Sequence, residues 1–290
     1  MIPIRKIAGG CILPSAQGHI VLFNLYCDTS FDGSSKDNVA GVPHEPRTYV
    51  IAGFFCSQPV WESVEDRWND INERFTVPRF HASHLNHKSE EYEGWNNAQK
   101  LCYSKSMLQI INDQGNKMYG ISCGMLADEY RKIINEEGRA KLGHPYLACF
   151  KTCIATIARA MDKAFPPGDQ FSVFIDRDQY ALDAEHSFYD MKDNPVCPFR
   201  SRLATCTRSS MQELVCLQPA DMLAYEVFRR LHQKREGDAK IRAVLASMYS
   251  HNIIDAQFFG LNSLRKLKAG IESAACGPNG LTIIPSDQGS

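Results

Sequence analysis

HIVLFNLYCD, residues 19–28, decides how the rest of the chain is read. Its β-branched and aromatic residues mark a buried strand, and the strand ends on an acid, Asp28. QFSVFID, residues 170–176, repeats the arrangement and ends on Asp176. A carboxylate at the end of a buried strand is held on rigid scaffold, at the rim of the sheet where clefts form. Asp is also a common turn former, so each acid taken singly has an ordinary explanation.

Three more segments read as strands by the same criterion: YVIAGFFCS (49–57), KMYGISCGML (117–126) and SRLATCTRS (201–209). Helices fall between and after them. In 59–75, Pro59 opens the first turn, and Trp61, Val64, Trp68, Ile71 and Phe75 follow at spacings of three and four. Residues 98–113 are a weaker helical stretch. Residues 145–165 open on Pro145 and stop at Pro166-Pro167-Gly168. A short helix is expected between the fourth and fifth strands, and further helices over 219–235, 239–250 and 262–275. The alternation in the second half predicts parallel strands with helical crossovers, an α/β fold. No linker divides the chain, so the expected organisation is an extension over 1–18, one domain over 19–275 and a turn-rich tail over 276–290. The stretch Thr29–Thr48 is too long and polar for a tight hairpin and is expected to be a mobile loop over the acids.

The third acid is Asp221, in LQPADMLAYEVFRRL. At 100° per residue, Ala224, Phe228 and Leu231 fall within about 40° of Leu217, and Asp221 falls at about +40°, on the flank of that stripe. A carboxylate beside a buried face needs a partner. An acid in the first turn, after Pro219, also complements the helix dipole. Three such acids together point to divalent-metal phosphodiester chemistry: Mg²⁺ or Mn²⁺ takes hard oxygen ligands, activates an attacking water and neutralises the leaving oxygen.

FHASHLNH carries His81, His84 and His87 at a spacing that suggests zinc, yet no matching Cys or His pair follows and HExxH is absent. One histidine lining a cleft, His81, is the expected reading. There is no G-x-G-x-x-G, Walker loop or G-x-S-x-G elbow. Thirty-two basic against 33 acidic residues give no overall basic field for non-specific nucleic-acid binding. The 11 cysteines are scattered without C-x-x-C and read as reduced, mostly buried thiols. No apolar run is long enough to span a bilayer, and the run before Cys11 is too short for a signal peptide, so no membrane partner and a cytoplasmic location are expected.

YCDTS after the first strand, YVIAGFF, FHASHL, FID and LQPADMLAY together resemble domain-of-unknown-function family 3800, over about residues 20 to 235. The resemblance implies an RNase H-like mixed five-stranded sheet of order 3-2-1-4-5, flanked by helices, with a helical insertion between strands 2 and 3. It implies a metal-dependent nuclease acting on DNA or RNA. Asp28, Asp176 and Asp221 match its metal-binding acids, His81 a catalytic position and Gln218 an accessory one, with Thr29 and Ser30 in the motif after the first acid. The family has Glu where this chain has Thr29. Glu213, Asp178 and Asp32 are the candidates for a fourth ligand. Two other readings stay open: a catalytically weak or inactive nucleic-acid- or protein-binding module, and an enzyme of small phosphoesters.

Overall fold

A computed structural model describes residues 22–31, 47–87, 90–235, 237 and 241–275. The two terminal segments set apart above, and nearly all of the loop expected over the acids, lie outside these residues. What is described corrects that loop at its start: Thr29, Ser30 and Phe31 are still strand. The expected mobility and gating lie outside the described residues.

Six strands form one mixed sheet in the order β5-β4-β1-β2-β3-β6. They are β1 (Leu22–Phe31), β2 (Thr48–Ser57), β3 (Tyr119–Leu126), β4 (Gln170–Asp176), β5 (Leu203–Ser209) and β6 (Ile253–Phe259). β1 and β2 pair antiparallel, as do β2 and β3; β4 joins β1 in parallel, and β5 joins β4 in parallel. The five-stranded expectation is corrected by β6, which pairs parallel to β3 at the far edge. Gly53, opposite Cys27, has no room for a side chain: a Cβ there would lie 2.0 Å from the Tyr26 carbonyl oxygen, so only glycine fits.

Among the described residues, ten helices surround the sheet. Between β2 and β3 come α1 (Gln58–Phe75), α2 (Ala82–His87) and α3 (Asn97–Gln114). Between β3 and β4 come α4 (Ala127–Ile133), α5 (Glu136–Leu142) and α6 (Pro145–Ala164). The short α7 (Ala181–Asp193) links β4 to β5, and α8 (Leu217–Arg235), α9 (Ala243–His251) and α10 (Leu261–Ala275) follow. The strict alternation of strand side chains splits the core in two. Phe23, Leu25 and Cys27 of β1, with Phe171, Val173 and Ile175 of β4, face α6. Tyr26 of β1 and Phe54 of β2 face α8 and α1. The prolines behave as expected, opening α1 and α6 in their first turns.

Of the nine cysteines described, none is paired and seven are buried. Cys102 is exposed and Cys197 half-buried, while Cys11 and Cys276 lie outside the described residues. Among the described residues, no helix is long and apolar enough to cross a membrane.

Candidate functional site

The parallel register pairs Cys27 with Ile175, so the next residues along, Asp28 and Asp176, stand side by side on neighbouring strands. Asp176 ends β4 as expected, but Asp28 does not end β1, which runs on along β2 to Phe31. Adjacent strands lie about 4.8 Å apart, and residues in register point to the same face. That face carries α8. From Leu217 to Val227 every residue of α8 is buried, a wider buried surface than the stripe expected from periodicity. Ala220 and Ala224 are fully buried, and such small side chains let the helix approach β1 and β2 closely. Asp221, between them on the helix, is brought up to Asp28 of β1 and Asp176 of β4.

The three carboxyl groups feel one another strongly. Asp28 is 5% exposed and its pKa is driven well up, first by burial and then by the charges of Asp221 and Asp176. A hydrogen bond between the Asp28 and Asp221 carboxyls pushes the same way, while the Thr29 backbone opposes it. Asp176 is pushed up to about 6, by burial first and by Asp221 next. Asp28 therefore holds a proton more readily than a free aspartate.

Protein donors occupy part of the cluster. The Ala82 amide donates to Asp221 Oδ2 at 2.6 Å, and His81 Nδ1 stands 3.2 Å from the same oxygen. The Met211 amide donates to Asp176 Oδ1 at 3.2 Å. Burial works against a charged His81, but its contact with Asp221 outweighs this and raises its pKa. Among the described residues no set of three or more Asp, Glu, His or Cys side chains surrounds one point closely enough to hold a metal ion. The acids are thus coupled by charge without forming a ready-made coordination shell. Their donor chemistry, hard carboxylate oxygens, is that of Mg²⁺ or Mn²⁺.

Gln218 is the fastener. Its Oε1 accepts from Trp68 Nε1 at 2.8 Å, Phe80 N at 2.7 Å and Asn72 Nδ2 at 3.3 Å. Its Nε2 donates to the Met211 carbonyl at 3.0 Å. One side chain, 1% exposed, therefore locks the segment that carries His81 to the turn whose amide holds Asp176. Tyr92 adds a second clamp: its hydroxyl accepts from His81 N and donates to the Arg79 carbonyl.

The three fourth-ligand candidates separate. Asp178 accepts a short hydrogen bond from the Thr29 hydroxyl and raises the pKa of Asp176. Glu213 is held by Arg177 at 3.0 Å and by Ser209 at 2.9 Å. Asp32 lies outside the described residues. Ser30 stands opposite Val50, two residues past Asp28 on the same face. The other histidines are diverted: His84 Nδ1 is 2.8 Å from Glu91, and His87 Nδ1 is 2.8 Å from the Ser83 carbonyl. Sequence reasoning missed the amides of Ala82 and Met211, because a backbone donor carries no residue signature. It also missed the Thr29–Asp178 link, which joins two segments 149 residues apart.

No protein-family model matches the chain, and no curated protein matches it in sequence.

Proposed function

We propose that the chain is a divalent-metal-dependent nuclease that hydrolyses phosphodiester bonds in DNA or RNA, with an RNase H-like arrangement related to family 3800. The observation that carries this reading is the electrostatic state of the acid cluster. Asp28 and Asp176, both with raised pKa values, crowd Asp221 at one rim of the sheet, and like charges so placed call for a cation or for protons. Asp28, Asp176 and Asp221 would hold Mg²⁺ or Mn²⁺, which supplies water activation and charge neutralisation at a phosphodiester. His81, tethered to Asp221 and raised in pKa, is the group suited to pass a proton to a leaving oxygen. Gln218 and Tyr92 hold that histidine's backbone in place.

A second reading has its own support. The acids lack a preformed coordination shell, and Thr29 stands where the family has Glu. A non-catalytic binding module that keeps the fold accounts for both. Labelled single- and double-stranded DNA, RNA and hybrids, incubated with Mg²⁺ or Mn²⁺, separate the two. The nuclease reading expects cleavage by the wild type and none by Asp28→Asn. No cleavage of any substrate by the wild type favours the binding module.

A further inference from the structure

The chain as a whole carries a net charge of -1, but one stretch departs from that balance. Residues 229–242 contain six basic residues (Arg229, Arg230, Lys234, Arg235, Lys240 and Arg242) against the acids Glu236 and Asp238. Arg229, Arg230 and Lys234 lie further along α8 from Asp221. With a rise of about 1.5 Å per residue, Tyr225 stands about 6 Å and Arg229 about 12 Å further along the helix than Asp221.

The arginines are built in. Arg242, which precedes α9, lies over the Tyr225 ring at 5.6 Å from its centroid. Its Nη1 pairs with Glu226 Oε1 at 3.2 Å, and its Nη2 donates to Asn86 Oδ1 at 3.4 Å. Asn86 belongs to α2, whose first amide donates to Asp221. Arg242 thus spans from α8 to the helix that borders the acid cluster. Glu226 is 4% exposed and its Oε2 has no hydrogen-bond partner, so the carboxylate orients Arg242 from beneath without being fully satisfied by it. Arg229 Nε is likewise buried without a hydrogen bond, and the Arg229 charge acts on Glu226 together with that of Arg242. Two guanidinium charges that share one carboxylate leave a surplus positive charge suited to an anion with several oxygens.

We propose that Arg229 and Arg242 seat successive backbone phosphates of a nucleic-acid strand whose reacting phosphodiester lies at Asp28, Asp176 and Asp221. This rests on the phosphodiester reading of the acid cluster and sharpens it: the substrate is a strand several nucleotides long, not a small phosphoester. The ordinary alternative is that Arg242 only ties α9 to α8 through Glu226.

Binding of fluorescein-labelled oligothymidylate, measured by anisotropy in EDTA over a KCl series, tests the seat without any hydrolysis. The wild type should bind a 12-mer far more tightly than a dinucleotide. Arg242→Gln and Arg229→Gln should each weaken 12-mer binding about threefold or more and reduce the slope of log affinity against log salt by about 0.7. Removing Arg242 leaves the buried Glu226 with only the charge of Arg229 to offset it and endangers folding, so Glu226→Gln provides the second arm. It keeps both arginines, removes a negative charge beside the seat, and should tighten the 12-mer; a purely structural Glu226 would leave affinity unchanged or weaker. Equal affinity for dinucleotide and 12-mer, or unchanged affinity and salt slope in folded arginine variants, overturns the proposal. Arginine-dependent strand binding with no cleavage in Mg²⁺ or Mn²⁺ supports the seat and overturns the nuclease reading. Cleavage indifferent to both arginines does the reverse.

Discussion

The two faces of the sheet are cut from the same strands yet have opposite chemistry. Toward α6, β1 and β4 present Phe23, Leu25 and Cys27 and Phe171, Val173 and Ile175, with no polar side chain among them. Toward α8, the alternate positions are Asn24, Tyr26 and Asp28 and Ser172, Phe174 and Asp176. The α8 face also buries Asn72, Gln218, Asp221 and Glu226. Burying polar and charged groups costs free energy unless each is partnered, and on this face the partners are incomplete. Both faces carry an apolar core, and the α8 face adds the buried acids and amides of the candidate site.

The largest effect should come from damaging the apolar face. Phe171→Ala removes a fully buried ring at the centre of that core and should cost about 3–5 kcal/mol in urea unfolding. The acid cluster stands on the other face, so metal response per folded molecule should persist. If Phe171→Ala abolished metal response in protein still folded by circular dichroism, the two faces would not be separable.

Next comes Gln218→Leu. It is close in size but strands the Trp68, Asn72 and Phe80 donors in the interior. A loss of about 3 kcal/mol is expected, since unsatisfied buried donors cost about 1–3 kcal/mol apiece and partial relaxation spares some of it. Because Phe80 precedes His81, the loss should also loosen His81 from Asp221, visible as a fall in the histidine's NMR pKa. A change under about 0.5 kcal/mol, ordinary for a surface site, would mean Gln218 is not the fastener.

Asp28→Asn should move stability the other way. It removes one charge from a crowded group and keeps the shape, so the metal-free protein should gain roughly 1 kcal/mol. Destabilisation instead would show that Asp28 serves the fold.

The smallest expected effect is on pH dependence. Asp176 has its folded pKa raised to about 6, above the unfolded value, so the folded state holds its proton more firmly. That contribution stabilises the fold as pH falls through 6 and weakens it as pH rises. His81, also raised, acts in the same direction. Between pH 7 and pH 5 the wild type should therefore gain in melting temperature relative to Asp176→Asn, which lacks the titrating group. Parallel curves for the two proteins would contradict the shift.

Much of this contrast was legible in the residues. HIVLFNLYCD and QFSVFID announced two buried strands carrying acids, though only Asp176 ends its strand while β1 runs on past Asp28 to Phe31, and LQPADMLAY placed the third acid beside a buried helical face. Strand alternation and helix periodicity are local rules, so they survive without a structure. IIDAQFF, the β6 strand, went unread between two helices, although its paired isoleucines and phenylalanines bounded by Asn252 and Gly260 are a strand signal. The site was legible in its acids and in His81, and illegible where it depends on backbone amides such as Ala82 and Met211. Nor could spacing reveal that Gln218 gathers donors from residues 138 to 150 positions away. Those contacts arise from packing, which no short window of sequence contains.

The central claim is that Asp28, Asp176 and Asp221 act together as a site for a divalent cation. Thermal melting of the wild type and of each Asp→Asn variant, in EDTA and across a Mn²⁺ titration, tests it most directly. A ligand that binds only the folded state at about 100 times its Kd stabilises by about 2.7 kcal/mol. The account predicts a saturable rise in wild-type melting temperature with Mn²⁺ that all three variants lose. A wild type indifferent to Mn²⁺, or a response kept when any of the three acids is replaced, would contradict it.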